Sequence, residues 1–198
     1  MDRRIYKFPK RFFDIAFSIL VILTILSWLI PLVALIIFLE SGEKTFFTQE
    51  RIGENGMPFK IYKFKSMKGN PPDNDPLLSK DEAKRITKFG CFLRKFRIDE
   101  FPQFFNVLKG EMSIVGPRPE RQLFLDEIIK EIPKYKKMQK LKPGITSLGQ
   151  IKYGYADNLE QMLNRARYDL IYLDNLNLWT DFKVITSTVK VVIEGKGR

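Results

Sequence analysis

The sequence contains no histidine, and Cys91 is its only cysteine. A zinc site of the usual Cys/His kind, an internal disulfide and a Ser-His-Asp triad within the chain are thereby excluded. Acid–base or nucleophilic chemistry must fall to carboxylates, lysine, tyrosine or a hydroxyl. A free thiol without disulfides fits a reducing compartment. Charge is also missing in one place: Ile15 to Leu39 carries none, although the 198 residues together have a net charge of +11. Such a balance suits acidic partners, whether nucleic acid, anionic lipid or a phosphorylated substrate. The length gives room for one compact domain plus an attachment.

The apolar run follows a basic, aromatic segment, MDRRIYKFPKRFFD. A signal peptide would have a shorter apolar core and a small-residue cleavage site. Ser41-Gly42-Glu43 ends the run with no such motif before it, so the run is expected to be retained. As a straight helix it measures about 37 Å, enough to cross a hydrocarbon core of about 30 Å. Two features oppose a span. Pro31 removes a hydrogen bond to the carbonyl of Ser27 and predicts a break or kink, with the Ser27 hydroxyl as local polar compensation. Arg3, Arg4, Lys7, Lys10 and Arg11 precede the run and a basic domain follows it. A single span would leave one basic flank outside, against the usual cytoplasmic bias. The expected arrangement is a re-entrant helix hairpin within residues 1–41, both termini cytoplasmic, joined to a compact domain at residues 42–198.

Thr45 to Met67 alternates apolar with polar residues on either side of Gly53-Glu-Asn-Gly56, which reads as a hairpin turn between extended segments. Gly69 to Asp75 reads as a loop. A basic helix is expected over about 80–97, and a second from near Glu100 to Lys109, stopped by Gly110. Pro117-Arg118-Pro119 interrupts. Glu120 to Leu141 reads as helical with a break near Pro133, then Lys142-Pro-Gly144 as a turn. Leu159 to Asn175 and Asp181 to Ile193 are the last periodic segments. The predicted fold class is α/β but mostly helical, with a small irregular sheet region at Thr45 to Met67.

The chemistry concentrates between Arg94 and Pro119. Asp99 and Glu100 are adjacent acids in a basic, aromatic neighbourhood, and Pro102 suits a helix's first turn. A helix N-terminus there would favour an ionised Asp99 and attract a phosphate. The alternative is an acidic N-cap, with Glu100 and Gln103 forming a capping box. Pro117 and Pro119 present Arg118 from a stiff frame, and its guanidinium suits bidentate phosphate binding. The alternative is a rigid turn with a solvated arginine. Arg94, Lys95 and Arg97 either add positive charge to the site or form a solvated face.

The order of these blocks resembles the bacterial sugar transferase family of small monotopic phosphoglycosyl transferases. The matching segments are KRFFD, FTQERIGENGMPFKIYKFKSM, RITKFGCFLRKFRIDEFPQFFNVLKGEMSIVGPRPE, LKPGITSLGQ and RYDLIYLDNLNLWTDFKVITSTVKVV. They cover almost the whole chain. The resemblance implies that Asp99 attacks the sugar-bearing phosphate of a UDP-sugar and releases UMP. A phosphosugar-aspartyl intermediate would then pass to a polyprenyl phosphate, in the expected case undecaprenyl phosphate. Glu100 would assist as metal ligand or acid–base partner. Mg2+, with Asp99 and Glu100 as its ligands, would neutralise the diphosphate. Arg118, framed by Pro117 and Pro119, would hold phosphate groups together with Arg94, and Asp169 matches a further acidic position. The implied place is the cytoplasmic face of a bacterial inner membrane. The partners are membrane lipid and the two substrates, with no nucleic acid.

The chain departs from the family pattern where Ser147 stands for a glycine, Gly149 for a small residue such as alanine and Phe101 for leucine. No large amino-terminal regulatory region, of the kind longer members of the family have, is expected. The segment Tyr153 to Tyr172 resembles exopolysaccharide-initiating members, which leans toward a hexose. Two rivals compete: a basic membrane-anchored binding module, which leaves Asp99, Glu100 and Arg118 unexplained, and an anchored phosphatase with Asp99 as nucleophile, which would need no acceptor lipid.

Overall fold

The computed structural model describes residues 3–69, 84–154 and 156–197. Most of the expected loop Gly69 to Asp75, and the start of the helix expected over 80–97, lie outside the described residues. The chain opens with a long helix in two parts: α1 (Arg3–Val21) and α2 (Ser27–Ser41), joined by a π-helical turn at Ile22–Leu26. Over Tyr6–Ser41 this helix is long and apolar enough to cross a membrane.

The departure from α geometry lies upstream of Pro31, which is accommodated inside α2. In the wide turn the Ser27 N–H reaches back to the Ile22 carbonyl, five residues away. Such turns loosen the helical ladder, and nearby side chains close on its carbonyls. Thr24 Oγ1 donates to Leu20 O at 2.7 Å, Ser27 Oγ to Leu23 O at 2.8 Å and Trp28 Nε1 to Thr24 O at 2.8 Å. The polar compensation expected from Ser27 is therefore present, at a different place in the run.

Both arms of the long helix are held by the following domain. On α1, Arg11 donates to the carbonyls of Val107 and Leu108, and Asp14 accepts from the Ile114 N–H. At the end of α2, Glu40 accepts from the Phe89 N–H, and Glu43 pairs with Lys65 at 2.6 Å. Val21, Leu26, Val33 and Ile37 are buried in one cluster with Phe64, Leu93, Phe104 and Tyr172. The opposite faces expose Leu23, Trp28, Leu35, Phe38 and Leu39.

The hairpin is as the alternation implies. β1 (Phe46–Ile52) pairs antiparallel with β2 (Pro58–Phe64), Gln49 facing Ile61. Its turn puts Asn55 at φ 59°, within the Gly53–Gly56 segment. Downstream come α3 (Lys88–Lys95), α4 (Gln103–Lys109) and β3 (Ser113–Val115). Then follow α5 (Gln122–Glu131), a 3-10 stretch at Pro133–Lys140 and β4 (Gly144–Thr146), then α6 (Leu148–Lys152), α7 (Leu159–Asp174) and α8 (Leu178–Ile193). Thr87 caps α3 by accepting the Gly90 N–H, and Gly110 ends α4 at φ 87°.

β3 and β4 form a second, parallel pair, β3 lying outside the region where strands are expected and β4 following the Lys142-Pro-Gly144 turn, where the sequence allows strand or loop. Strands of three residues are too short for alternation to reveal them. Their contact needs glycine: a β-carbon on Gly144 would lie 2.2 Å from Gly116 N. A second core joins α5, the 3-10 stretch and α7 through Leu125, Ile128, Tyr135, Met162 and Leu173.

Candidate active site

Asp99 and Glu100 lie in a 3-10 turn, Ile98–Glu100, between α3 and α4. The preceding Arg97 has φ 53° and ψ 22°, a left-handed backbone that non-glycine residues seldom adopt. This kink turns its guanidinium back onto Glu100, with Nε 3.1 Å and Nη2 2.7 Å from Oε2. Lys63 on β2 donates to Glu100 Oε1 at 2.9 Å, and Arg118 Nη1 stands 3.5 Å from the same oxygen. Burial pushes the Glu100 pKa up, but Arg97, Lys63 and Arg118 outweigh it and hold the carboxyl well below its usual range.

Asp99 is treated differently. Its nearest cation is Lys63, at 3.9 Å, and it has no hydrogen-bond donor among the described side chains and turns. Burial, helped by the charge of Glu100, raises its pKa against the pull of Lys63, Arg94 and Arg97. When ionised, a carboxylate of raised pKa is the stronger base. The neighbourhood holds two buried acids of unlike character: one neutralised by three cations, the other available.

Neither acid caps α4. Its N-cap is Pro102, with no side-chain capping bond. The expected helix start is therefore corrected from Glu100 to Gln103, and the acids sit in the turn ahead of it. Proline lacks the N–H and offers no side-chain acceptor, while the oxygens of Glu100 are engaged by cations, so the Glu100–Gln103 capping box does not form.

Pro117 and Pro119 are buried and Arg118 is half-buried between them. The frame is fixed by backbone bonds: Gly144 N donates to Pro117 O at 2.8 Å, Gly116 N to Thr146 O at 3.1 Å and Ile52 N to Glu120 O at 2.9 Å. Glu120 is itself locked to Arg165 at 2.6 Å. Asp169, from α7, is brought to this frame rather than to the acids. Its Oδ1 accepts the Gly149 N–H at 2.8 Å, and the Arg118 backbone and the Ser147 hydroxyl also stabilise its charge. Burial is the larger effect and raises its pKa to about 6.

The departures at 147 and 149 fit this junction. A β-carbon on Gly149 would lie 2.6 Å from Arg165 O and 2.8 Å from Asp169 Oδ1, so glycine permits the approach of α7. Ser147 has an extended backbone at φ −134°, and its Oγ caps α6 by accepting the Gln150 N–H.

Arg94 lies on α3 and acts on Asp99 through space. Lys63 went unread in the sequence, and β2 carried the signal. Lys63 shares the parity of buried Phe59 and Ile61, so it occupies a place that alternation gives to an apolar residue.

No cluster of three or more candidate metal-ligating side chains occurs among the described residues. Mg2+ does not demand one; it takes one or two carboxylates and fills its shell with substrate phosphates and water. The available carboxylate of Asp99 fits that role. Glu100 fits it only by giving up part of its contact with Lys63, Arg97 or Arg118.

A family model described as bacterial sugar transferase matches residues 5–195. The chain is 39% identical, over 98% of its length, to a UDP-N-acetylgalactosamine-undecaprenyl-phosphate N-acetylgalactosaminephosphotransferase of Aeromonas hydrophila, of which it covers 45%. It is 41% identical, over 91% of its length, to a UDP-glucose:undecaprenyl-phosphate glucose-1-phosphate transferase of Klebsiella pneumoniae, of which it covers 39%. The chain thus spans less than half the length of these two relatives. It covers 89% of the uncharacterized sugar transferase EpsL of Bacillus subtilis, at 37% identity. With the match running across both arms of the long helix, the acid pair and the proline-framed arginine, this chain belongs to the bacterial sugar transferase family.

Proposed function

We propose that the chain transfers a sugar 1-phosphate from a UDP-sugar to polyprenyl phosphate, in the expected case undecaprenyl phosphate, to begin assembly of a surface glycan. The observation that carries this reading is the unequal acid pair: Asp99 available, Glu100 held by Lys63, Arg97 and Arg118. A carboxylate oxygen of Asp99 attacks the sugar-bearing phosphorus. The bond from that phosphorus to the bridging oxygen breaks, and UMP leaves. An oxygen of the polyprenyl phosphate then attacks the same phosphorus and displaces Asp99, which returns as carboxylate. Two displacements through a carboxyl phosphate need no histidine. Arg118 and Arg94 suit the phosphate oxygens, while Glu100 keeps Lys63, Arg97 and Arg118 gathered beside Asp99. Mg2+ bound at Asp99, with Glu100 as a second ligand, would neutralise charge on the diphosphate.

The membrane arrangement belongs to the same proposal. The long helix enters one leaflet of the bacterial inner membrane and returns, leaving the domain on the cytoplasmic face. Three observations support this: both arms are held by one folded domain, the Ile22–Leu26 turn has its carbonyls covered by side chains, and the basic flanks stand at both ends. The alternative span predicts that a cysteine at Asp2, in a Cys91-free background, is labelled from outside intact cells.

The relatives' names include both UDP-N-acetylgalactosamine and UDP-glucose, so the sugar is set by experiment. The test is UMP release from a panel of UDP-sugars, with and without polyprenyl phosphate and with chelator. The expected result is acceptor-dependent turnover with one sugar preferred, lost in chelator. Free phosphate in place of UMP would favour the phosphatase; binding without turnover would favour the binding module.

A further inference from the structure

A second site stands apart from the acid pair. A cavity of about 240 Å³ lies at the foot of the long helix, between α1, β3 and the end of α7. Its walls are largely carbon: Val115, Leu141, Leu176 and the rings of Tyr6 and Tyr172. Lys7, Lys10, Arg11 and Lys142 face it, against two acids, Asp14 and Glu54.

The charges do not balance locally. Lys10 is matched by Asp181 at 2.7 Å, and Lys7 by Glu54 at 3.4 Å. Asp14 is committed to the Ile114 N–H at 3.1 Å. Arg11 is left with neutral partners, the carbonyls of Val107 and Leu108. Lys142 has no ion pair or hydrogen bond with a described residue, although it is only half-exposed. The two cations converge: a β-carbon on Gly110 would lie 3.6 Å from both Arg11 Nη2 and Lys142 Nζ. Burial, then the charge of Arg11, holds the Lys142 ammonium below its usual pKa. An anion placed between them would relieve that strain on Lys142 and give Arg11 a charged partner.

We propose that this cavity binds the phosphate of an anionic membrane phospholipid, with Arg11 and Lys142 as its counter-charges. The carbon walls suit the glycerol and the first acyl carbons, which a free phosphate lacks. On α1 itself, Phe8, Phe12 and Phe13 are exposed on faces other than the one that lines the cavity, as suits a helix that meets lipid. The inference rests on the reading that this helix enters a membrane. It also gives Lys142, in the Lys142-Pro-Gly144 turn, a task that the transfer chemistry does not supply.

The test uses the full chain in neutral detergent micelles and native mass spectrometry. The probes are short-chain phosphatidylglycerol, short-chain phosphatidylcholine and inorganic phosphate. One phosphatidylglycerol should bind in preference to phosphatidylcholine, and Lys142→Gln should weaken it about tenfold or more. No described residue depends on the Lys142 ammonium, so this variant should keep the wild-type melting temperature. Arg11→Gln should weaken binding too, but it also loses bonds to α4, so Lys142→Gln decides. Equal phosphatidylglycerol binding by wild type and Lys142→Gln overturns the proposal. So does displacement of the lipid by equimolar inorganic phosphate, which would reduce the site to one for free anions. UMP release by the wild-type chain is read in parallel. Its absence alongside intact lipid binding would sink the transferase reading and leave this one standing.

Discussion

Asp99 and Asp181 are both buried acids in a strongly basic chain, yet their surroundings are opposite. Asp181 receives Tyr6 Oη at 2.6 Å, Lys10 Nζ at 2.7 Å and Tyr172 Oη at 2.7 Å. These donors come from α1 and α7, so the carboxylate on α8 ties three helices together. Among the described residues Asp99 has one ion-pair partner, Lys63, at 3.9 Å. A carboxylate with three of its roughly four acceptor sites filled acts as a joint and has little capacity to offer a substrate. An unsaturated one, buried among cations that its neighbour gathers, has a raised pKa and room for a new bond. Asp169 belongs with Asp181: its partners are backbone N–H groups, that of Arg118 among them, and a serine.

The contrast breaks most severely at Asp99. Asp99→Asn should reduce UMP release on the order of 10⁴-fold or more and abolish covalent labelling by the donor, because an amide is not a competent nucleophile. Near-normal turnover would remove the covalent step. Next in size is the proline-framed arginine. Arg118→Lys keeps the charge but loses the planar fork and should cost about 10²-fold in kcat/KM. Asp169→Asn should cost about tenfold in the wild-type background and much less in Arg118→Lys, since both act through one guanidinium. Full additivity in the double variant would show that Asp169 works by another route.

A smaller effect sharpens the comparison in pH. Burial raises the Asp99 pKa, and the nucleophile proposed for it must be ionised to attack. Activity should therefore fall as pH drops through that raised value, with the acid limb of kcat/KM above the ~3.9 of an ordinary aspartate. Lys63→Met removes the largest opposing influence and should move the limb to higher pH. A limb that stays put would disconnect Lys63 from Asp99. The smallest change is at the joint. Tyr6→Phe removes one donor from Asp181 and should lower stability by about 1 kcal/mol, seen as a reduced melting temperature in detergent with kcat unaltered.

How much of this the sequence disclosed depended on how far apart the partners lie along the chain. Asp99 with Glu100, and Pro117-Arg118-Pro119, each fit within a few consecutive residues, so their chemistry shows in the bare order. The hairpin and the helices of the second half follow from local periodicity. Lys63 reaches Glu100 across 37 positions, and Asp169 reaches Gly149 across 20; no local pattern joins such pairs. The start of α8 was placed late, at Asp181. The true cap is Asn177, which accepts the Thr180 N–H ahead of the apolar period. Pro31 drew attention as the place for a break, while the wide turn at Ile22–Leu26 has no residue type of its own to announce it. Thr24 and Ser27 are its only trace, two of the three hydroxyls in the apolar run, the third being Ser18.

That wide turn sets a phase along the helix. The buried positions step from Asp14 to Ser18 to Val21 in threes and fours, then by five to Leu26, and on to Val33 and Ile37. The step of five is an offset that keeps one stripe facing the domain on both sides of the turn. Each residue of an α-helix advances about 100° around the axis. Deleting any one residue between Ile22 and Leu26 would leave the run just as apolar and nearly as long. It would turn the step of five into an ordinary helical step of four, closing the wide turn while Val33 and Ile37 stay on the inner stripe. An added residue would instead rotate α2 by that angle and swing Val33 and Ile37 out. The segment is therefore one residue of slack taken up without loss of register, tolerant of apolar exchanges and of a single deletion but not of an insertion.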